Sequence, residues 1–365
     1  MSAPRPRLEA LIEEAQRMLA ICNACRYCEG YCAVFPALER RLSFDEGDIH
    51  YLANLCHNCG ACLYACQYAP PHEFQLNFPR MLAQVRRQTY EKCAWPGFLA
   101  SAFGRNGTVV AIVAALAVAL LFAITAGVAD PQAFFAAHSD REGSFYAVMP
   151  HETMTAIFGA VFLFVVLALA MGVARFWLGT GESLADFAAP QPLSSAAWDA
   201  AVLRNLDAGP RRTFHHLTFY GFLLCFAATA VGTIYHYVFD IRAPYPLWSL
   251  PVMLGTLGGI GLIVGPVGLM RLRRRRDPDL TDRAQSGMDA AFLVLLLLLG
   301  ATGLALLAFR ETRAMGTLLA LHLGVVLAFF ATLPYGKFVH APYRLAALAR
   351  FHLERRRPLP SIGPE

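Results

Sequence analysis

Eight cysteines between Cys22 and Cys66 limit the folds open to this chain more than any other feature. Cys22, Cys25, Cys28 and Cys32 form one run, and Cys56, Cys59, Cys62 and Cys66 form a second; both read C-x2-C-x2-C-x3-C. That spacing lets three thiolates of one tight loop cap three irons of a cube while the fourth reaches elsewhere. Where two such runs share a domain, the fourth cysteine of each ligates the other cluster. The expected sets are Cys22, Cys25, Cys28 and Cys66 for one [4Fe–4S] cluster, and Cys56, Cys59, Cys62 and Cys32 for the second. Zinc takes four ligands, commonly as two C-x2-C pairs rather than two runs of four. A disulfide framework belongs to short secreted domains, and no cleavable segment is read ahead of these cysteines. The proline that usually follows the fourth cysteine is replaced by Ala33 and Gln67.

Composition divides the 365 residues into unlike parts. Hydrophobic residues make up 56% and charged residues 16% of the chain, too apolar for an ordinary soluble protein. Residues 1–106 are polar and hold all but one of the cysteines, whereas 107–340 are mostly long apolar runs. The reading is all-α: a helical ferredoxin-like domain (1–106), a six-span membrane domain resembling a cytochrome b bundle (107–340), and a C-terminal tail (341–365). Residues 8–20 and 79–92 have helical periodicity. Ser43 to Glu46 reads as a capping box starting a helix that runs to Leu55. Cys93 reads as a structural thiol.

Six apolar segments, near 107–129, 154–178, 213–239, 247–270, 287–309 and 314–338, each approach the ~20 residues needed to cross hydrocarbon. Loops after the second and fourth segments and the C-terminal stretch carry most of the arginines, among them Arg211, Arg212 and Arg273 to Arg276. The opposite loops carry only Arg141, Arg242, Arg310 and Arg313. The positive-inside bias therefore puts both termini and the cysteine domain in the cytoplasm. It also explains the net charge of +5 without a nucleic-acid partner, since the basic residues are not interleaved with aromatics on one surface. Gly255, Gly259, Gly261 and Gly265 form small-x3-small steps, read as close helix packing or as room for a porphyrin face.

Titratable side chains inside spans are functional candidates, and histidine is a common axial ligand of haem. His215 and His216 lie toward the cytoplasmic end of the third segment and His236 toward its other end. His322 and His340 bracket the sixth segment. Matched by depth, His215 or His216 would face His340, and His236 would face His322. His322 and His340 are 18 residues apart, five turns of one helix, or about 27 Å. Helical phase prefers His215 to His216. His151, at the start of the second segment, is an alternative ligand. His50, His57, His72, His138 and His352 lie outside the spans and are given no haem role.

Several long stretches carry a family resemblance. CRYCEGYCAVFPA from Cys25, HNCGACLYACQYAPPHEF from His57, IYHY around His236, SLPVMLGTLGGIG from Ser249 and LHLGVVLAFFATLPYGKFVH from Leu321 to His340 resemble the tricarballylate (citrate) utilisation protein B family over nearly the whole chain. The resemblance implies an electron-transfer protein of the bacterial inner membrane with iron–sulfur clusters and haem b. It implies that electrons come from a separate FAD-dependent tricarballylate dehydrogenase and pass to quinone. A related sequence occurs in a cobalamin-biosynthesis fusion protein, which gives an alternative role in that pathway. More loosely, the membrane half resembles the cytochrome b subunit of respiratory nitrate reductase. The chain has neither a G-x-G-x-x-G opening a βα unit nor a Walker loop, so substrate oxidation is expected on the partner. Tyr335, Lys337 and Arg344 mark a candidate quinone edge, which interface anchoring explains equally well. Two other classes compete: a tethered redox sensor without haem, and a transporter, for which Asp289 is the only acid seen in the later spans.

Overall fold

A computed structural model describes residues 8–128, 134–137, 143–206 and 208–358; His138 and Arg141 lie outside them. Every regular element among these residues is helical. Six helices are long and apolar enough to cross a membrane. The spans are Asn106–Val128, His151–Gly179, Pro210–Phe239, Leu250–Arg274, Ser286–Phe309 and Met315–Thr332.

The N-terminal domain is built on three longer helices, Leu8–Cys25, Glu46–Leu55 and Phe78–Cys93. Their inward faces pack Leu19, Ile49, Leu52, Leu82 and Tyr90 into one core. The cap of the second helix is Asp45, whose carboxylate accepts from the Asp48 amide at 2.7 Å. The expected Ser43 box does not form, because Asp45 already satisfies the free amide of the first turn.

This domain meets only one end of the bundle. Arg175, late in the second span, donates to the Ala94 carbonyl at 2.8 Å. Gln285, at the start of the fifth, donates to Ala83, and Asp282 beside it pairs with Arg87 at 3.1 Å. Tyr335, just past the sixth, donates to Trp95 at 3.0 Å. Starts of odd spans and ends of even spans thus lie at the cysteine-domain end, as an up-and-down bundle requires.

Spans three and four approach closely through glycine. A Cβ on Gly258 would stand 2.8 Å from the Gly221 carbonyl, and one on Gly261 would stand 2.8 Å from that of Leu217. Small residues let the two backbones touch. The glycine stripe is consumed by helix packing rather than left open as a porphyrin face.

Two readings change beyond the sixth span. Pro334 cannot continue the helix hydrogen bonding, and Gly336 is extended. The chain breaks over Leu333–Val339, and a separate helix begins at His340. His322 and His340 are therefore on different helices, and the five-turn phase relation between them does not hold. The segment expected as a tail is the helix His340–Glu354, docked on the N-terminal domain. Its Glu354 pairs with Arg41, and its Arg350 meets Asp48 at 3.1 Å, Glu182 at 3.4 Å and Glu354 at 3.0 Å. Both guanidiniums also lie over the Tyr51 ring.

Candidate functional site

The two cysteine loops share one turn. Each passes through a left-handed residue directly after its second cysteine: Arg26 at φ 52° and Gly60 at φ 95°. At Gly60 a side chain is doubly excluded, since a Cβ would stand 2.6 Å from the Leu280 side chain. These turns fold the thiols inward around two hollows. Cys22, Cys25, Cys28, Cys62 and Cys66 line the first; Cys32, Cys56, Cys59 and Cys62 line the second, so Cys62 borders both. Among the described residues no group of ligands is set to hold a single metal ion. The thiols ring spaces that a multi-atom cluster would fill.

Electrostatics sorts the thiols the same way. Burial and then the charges of Cys66, Cys28 and Cys25 push Cys22 up to about 12. Burial and then Cys56 push Cys32 up to about 12. Cys62 is also raised, by burial first and then by Cys56, Cys32 and Cys59. Four thiolates this close require positive charge among them, which iron would supply. Cys66 thus stands with the thiols of the first run and Cys32 with those of the second.

The surroundings of the hollows differ. Tyr27 and Tyr31 are exposed on the first loop. The second loop is clamped against the membrane domain. Arg211 donates through its two terminal nitrogens to the carbonyls of Asn58 and His57, both at 3.0 Å. Arg276 donates to the same Asn58 carbonyl, and Arg344 donates to Leu55 at 2.6 Å. The Asn58 amide donates to Cys56 Sγ at 3.2 Å. His57 is buried under this clamp. Burial first, then the guanidiniums of Arg344 and Arg211, hold it well below the ordinary histidine range, so it is neutral at pH 7.

One turn beneath two of these arginines lies a histidine pair. His215 follows Arg211 by four residues on the third span, and His340 precedes Arg344 by four on the last helix, so each Arg–His couple shares a helix face. The rings of His215 and His340 stand 6.2 Å apart between centres at an interplanar angle of 84°. With metal–imidazole bonds of about 2 Å on each side, two axial imidazoles place their ring centres roughly 6 Å apart. His340 Nδ1 donates to the Lys337 carbonyl at 2.6 Å, leaving Nε2 available. A second-sphere bond of this kind commonly fixes a ligating histidine. Burial, then Lys337 and His215, push His340 down to about 3, which keeps it neutral. His215 Nδ1 is buried without a hydrogen-bond partner. The residues present fit a bis-histidine haem at this level.

The remaining histidines do not follow the depth matching. His216 turns to Tyr220. His236 stacks on His151 at 3.6 Å between ring centres, with Tyr146 edge-on to both. The expected partner of His236, His322, instead shares a 2.9 Å hydrogen bond with Thr302 on the fifth span. Rings stacked at 3.6 Å leave no gap for a metal between their nitrogens. To hold one as the other pair could, they would have to separate to a similar distance. Sequence reasoning passed over His57, Arg211 and Arg276; their signal is position, beside a cysteine run or at a span edge.

The three residues of the expected quinone edge are engaged elsewhere. Tyr335 bonds Trp95, Arg344 bonds Leu55, and Lys337 pairs with Asp289 at 2.8 Å. That ion pair also accounts for the acid on which a transporter reading would rest.

Comparison with known proteins agrees with the two-part architecture. Residues 104–361 match the family model described as citrate utilization protein B, and residues 15–92 match that family's Fer4-like domain. The chain belongs to the citrate utilization protein B family. A curated relative, the citrate utilization protein B of Escherichia coli, is 48% identical over 358 residues, covering 94% of this chain and 93% of its own length. No solved structure matches. In this chain the Fer4-like region contains both cysteine runs, so iron–sulfur binding is the chemistry the family relation suggests for them. The region matched by the larger family model contains all six spans and the histidines 151, 215, 216, 236, 322 and 340.

Proposed function

We propose that this protein carries electrons from a cytoplasmic flavoprotein dehydrogenase, through two [4Fe–4S] clusters and haem b, to the quinone pool of the bacterial inner membrane. The dehydrogenase would be the FAD-dependent enzyme that oxidises tricarballylate or a related organic acid. The first cluster would be held by Cys22, Cys25, Cys28 and Cys66, the second by Cys56, Cys59, Cys62 and Cys32. Haem b would sit between His215 and His340. Both termini would be cytoplasmic.

The observation that carries this reading is the pair of Arg–His couples. Arg211 and Arg344 grip the loop of the second cysteine group, and His215 and His340 face each other one turn away on the same two helices. Two redox sites would thus be neighbours with no mobile element between them. Electrons would enter at the exposed first group and leave the second group toward the membrane. Bound clusters would split a two-electron donor into single-electron steps.

The chain's own residues have definable tasks. The three arginines hold the second loop and place positive charge beside an anionic cluster, favouring its reduced form. The Asn58 amide does the same locally by donating to Cys56 Sγ. Neutral His57, which lines the second hollow, adds no charge there. The paired histidines also disfavour a haem-free sensor, which has no use for two facing, buried imidazoles.

The test is an anaerobic reduced-minus-oxidised spectrum of the purified protein together with low-temperature EPR. A b-type α-band, two interacting cluster signals and reoxidation by a quinone analogue are expected. A sample with full cluster iron and no haem band would overturn the haem portion of the reading.

A further inference from the structure

Two buried guanidinium groups beside the histidine pair have nitrogens with nothing to bind. Arg86, on the helix Phe78–Cys93, has Nε and Nη2 buried without a hydrogen-bond partner, and so does Nη2 of Arg344. The other terminal nitrogen of Arg344 is used on Leu55. Among the described residues neither side chain forms an ion pair. The nearby acid, Asp289, is taken by Lys337 at 2.8 Å. Arg344 has the thiols of Cys56 and Cys32 on one side, whereas among the described residues no acid is set against Arg86; buried guanidinium nitrogens without a partner are costly, so the place implies an acceptor that arrives with a ligand.

Position tells which ligand. Arg86 is near enough to bear on His340, His57, Lys337 and Arg344. Arg344 also bears on Cys32, but its place one turn from His340 on the same helix brings it to the level of the histidines as well. A tetrapyrrole held axially by His215 and His340 carries two carboxylate arms at its rim. Planar guanidinium forks bind carboxylates through paired, charge-assisted hydrogen bonds.

We propose that Arg86 and Arg344 form a carboxylate-binding site for the propionate arms of the porphyrin held between His215 and His340. The inference rests on the haem reading above. It assigns both arginines to the porphyrin rim, a role the sequence reading gives to neither.

The test uses the full-length protein in detergent, with Arg86→Gln and Arg86→Lys compared with wild type. Haem transfer to excess apomyoglobin and the propionate-bending band in resonance Raman are the readouts. Arg86→Gln should release haem roughly tenfold faster, as expected for loss of one charge-assisted bond, and should shift the propionate band while leaving cluster EPR unchanged. Arg86→Lys should restore most of the retention, but with a shifted band because one ammonium replaces a fork. If Arg86→Gln fails to assemble, an unshifted band in Arg86→Lys overturns the proposal. Wild-type release rate and band in Arg86→Gln overturn it too. So does a wild-type potential that responds to inorganic phosphate while the haem of Arg86→Gln is unaltered, since the arginines would then hold a free anion. Absence of a b-type spectrum in wild type defeats the haem reading itself and is distinct from these outcomes.

Discussion

The two cysteine runs are written with one spacing, yet they occupy opposite situations. The first loop turns its tyrosines outward, Tyr27 being 67% exposed and Tyr31 44%. The second loop lies against the bundle, its carbonyls held by Arg211, Arg276 and Arg344. Spacing alone identifies ligands; what packs around them gives the pair a direction. In this account the first group faces a partner and the second faces the membrane.

The sharpest way to break that comparison is to remove one thiol from each group. Cys56→Ser should cut the rate of haem reduction by the partner dehydrogenase more than a hundredfold, since the only group beside His215 is lost. Cys25→Ser should slow the partner reaction comparably but leave direct reduction of the haem by dithionite and the EPR signal of the second group intact. Stopped-flow absorbance and EPR on the two variants measure this. Equal effects on both signals would remove the distinction between an outer and an inner group.

A second prediction tests whether the inner group depends on the C-terminal helix. Glu354→Gln leaves Arg41 and Arg350 buried with their shared carboxylate gone. Breaking a buried charged pair costs on the order of 3 kcal/mol. Thermal loss of the cluster absorbance should therefore occur at a lower temperature in this variant, while Glu14→Gln, in an exposed pair with Arg17, should change little.

The smallest expected effect concerns acid. His50 is buried against Thr89, and burial holds it below the ordinary histidine range despite Glu46. Its folded pKa is depressed, so the folded state binds its proton less well than the unfolded chain does. Stability is then fully present above an unfolded histidine value of about 6.5 and falls as pH drops below it, by at most ~1.4 kcal/mol per pH unit. Denaturant midpoints between pH 7.5 and 5.5 should decline, and His50→Gln should flatten the decline.

Much of this was legible in the residues because it is local. The thiol sets need only the spacing of each run, the spans only their apolar length, and the near end of the bundle only its arginines. The histidine partners were less legible. His322 and His340 were placed on one helix by period, but Pro334 and Gly336 end that helix. His236 was matched to His322 by depth, whereas side-chain rotation brings it onto His151. Arg211 and Arg344 look from sequence like membrane-edge anchors; only tertiary packing brings them to the carbonyls of a cysteine loop. The long spacing from Leu55 to Arg344 holds no periodic trace of that contact.

The central claim is that the pair His215 and His340 lies at the end of an electron path that begins at the cysteines. Quantitative haem analysis of purified His340→Ala and His216→Ala, each with cluster EPR recorded on the same sample, tests it most directly. The account predicts that His340→Ala loses the b-type band with its cluster signals retained, and that His216→Ala keeps both. A full haem complement in His340→Ala would contradict it.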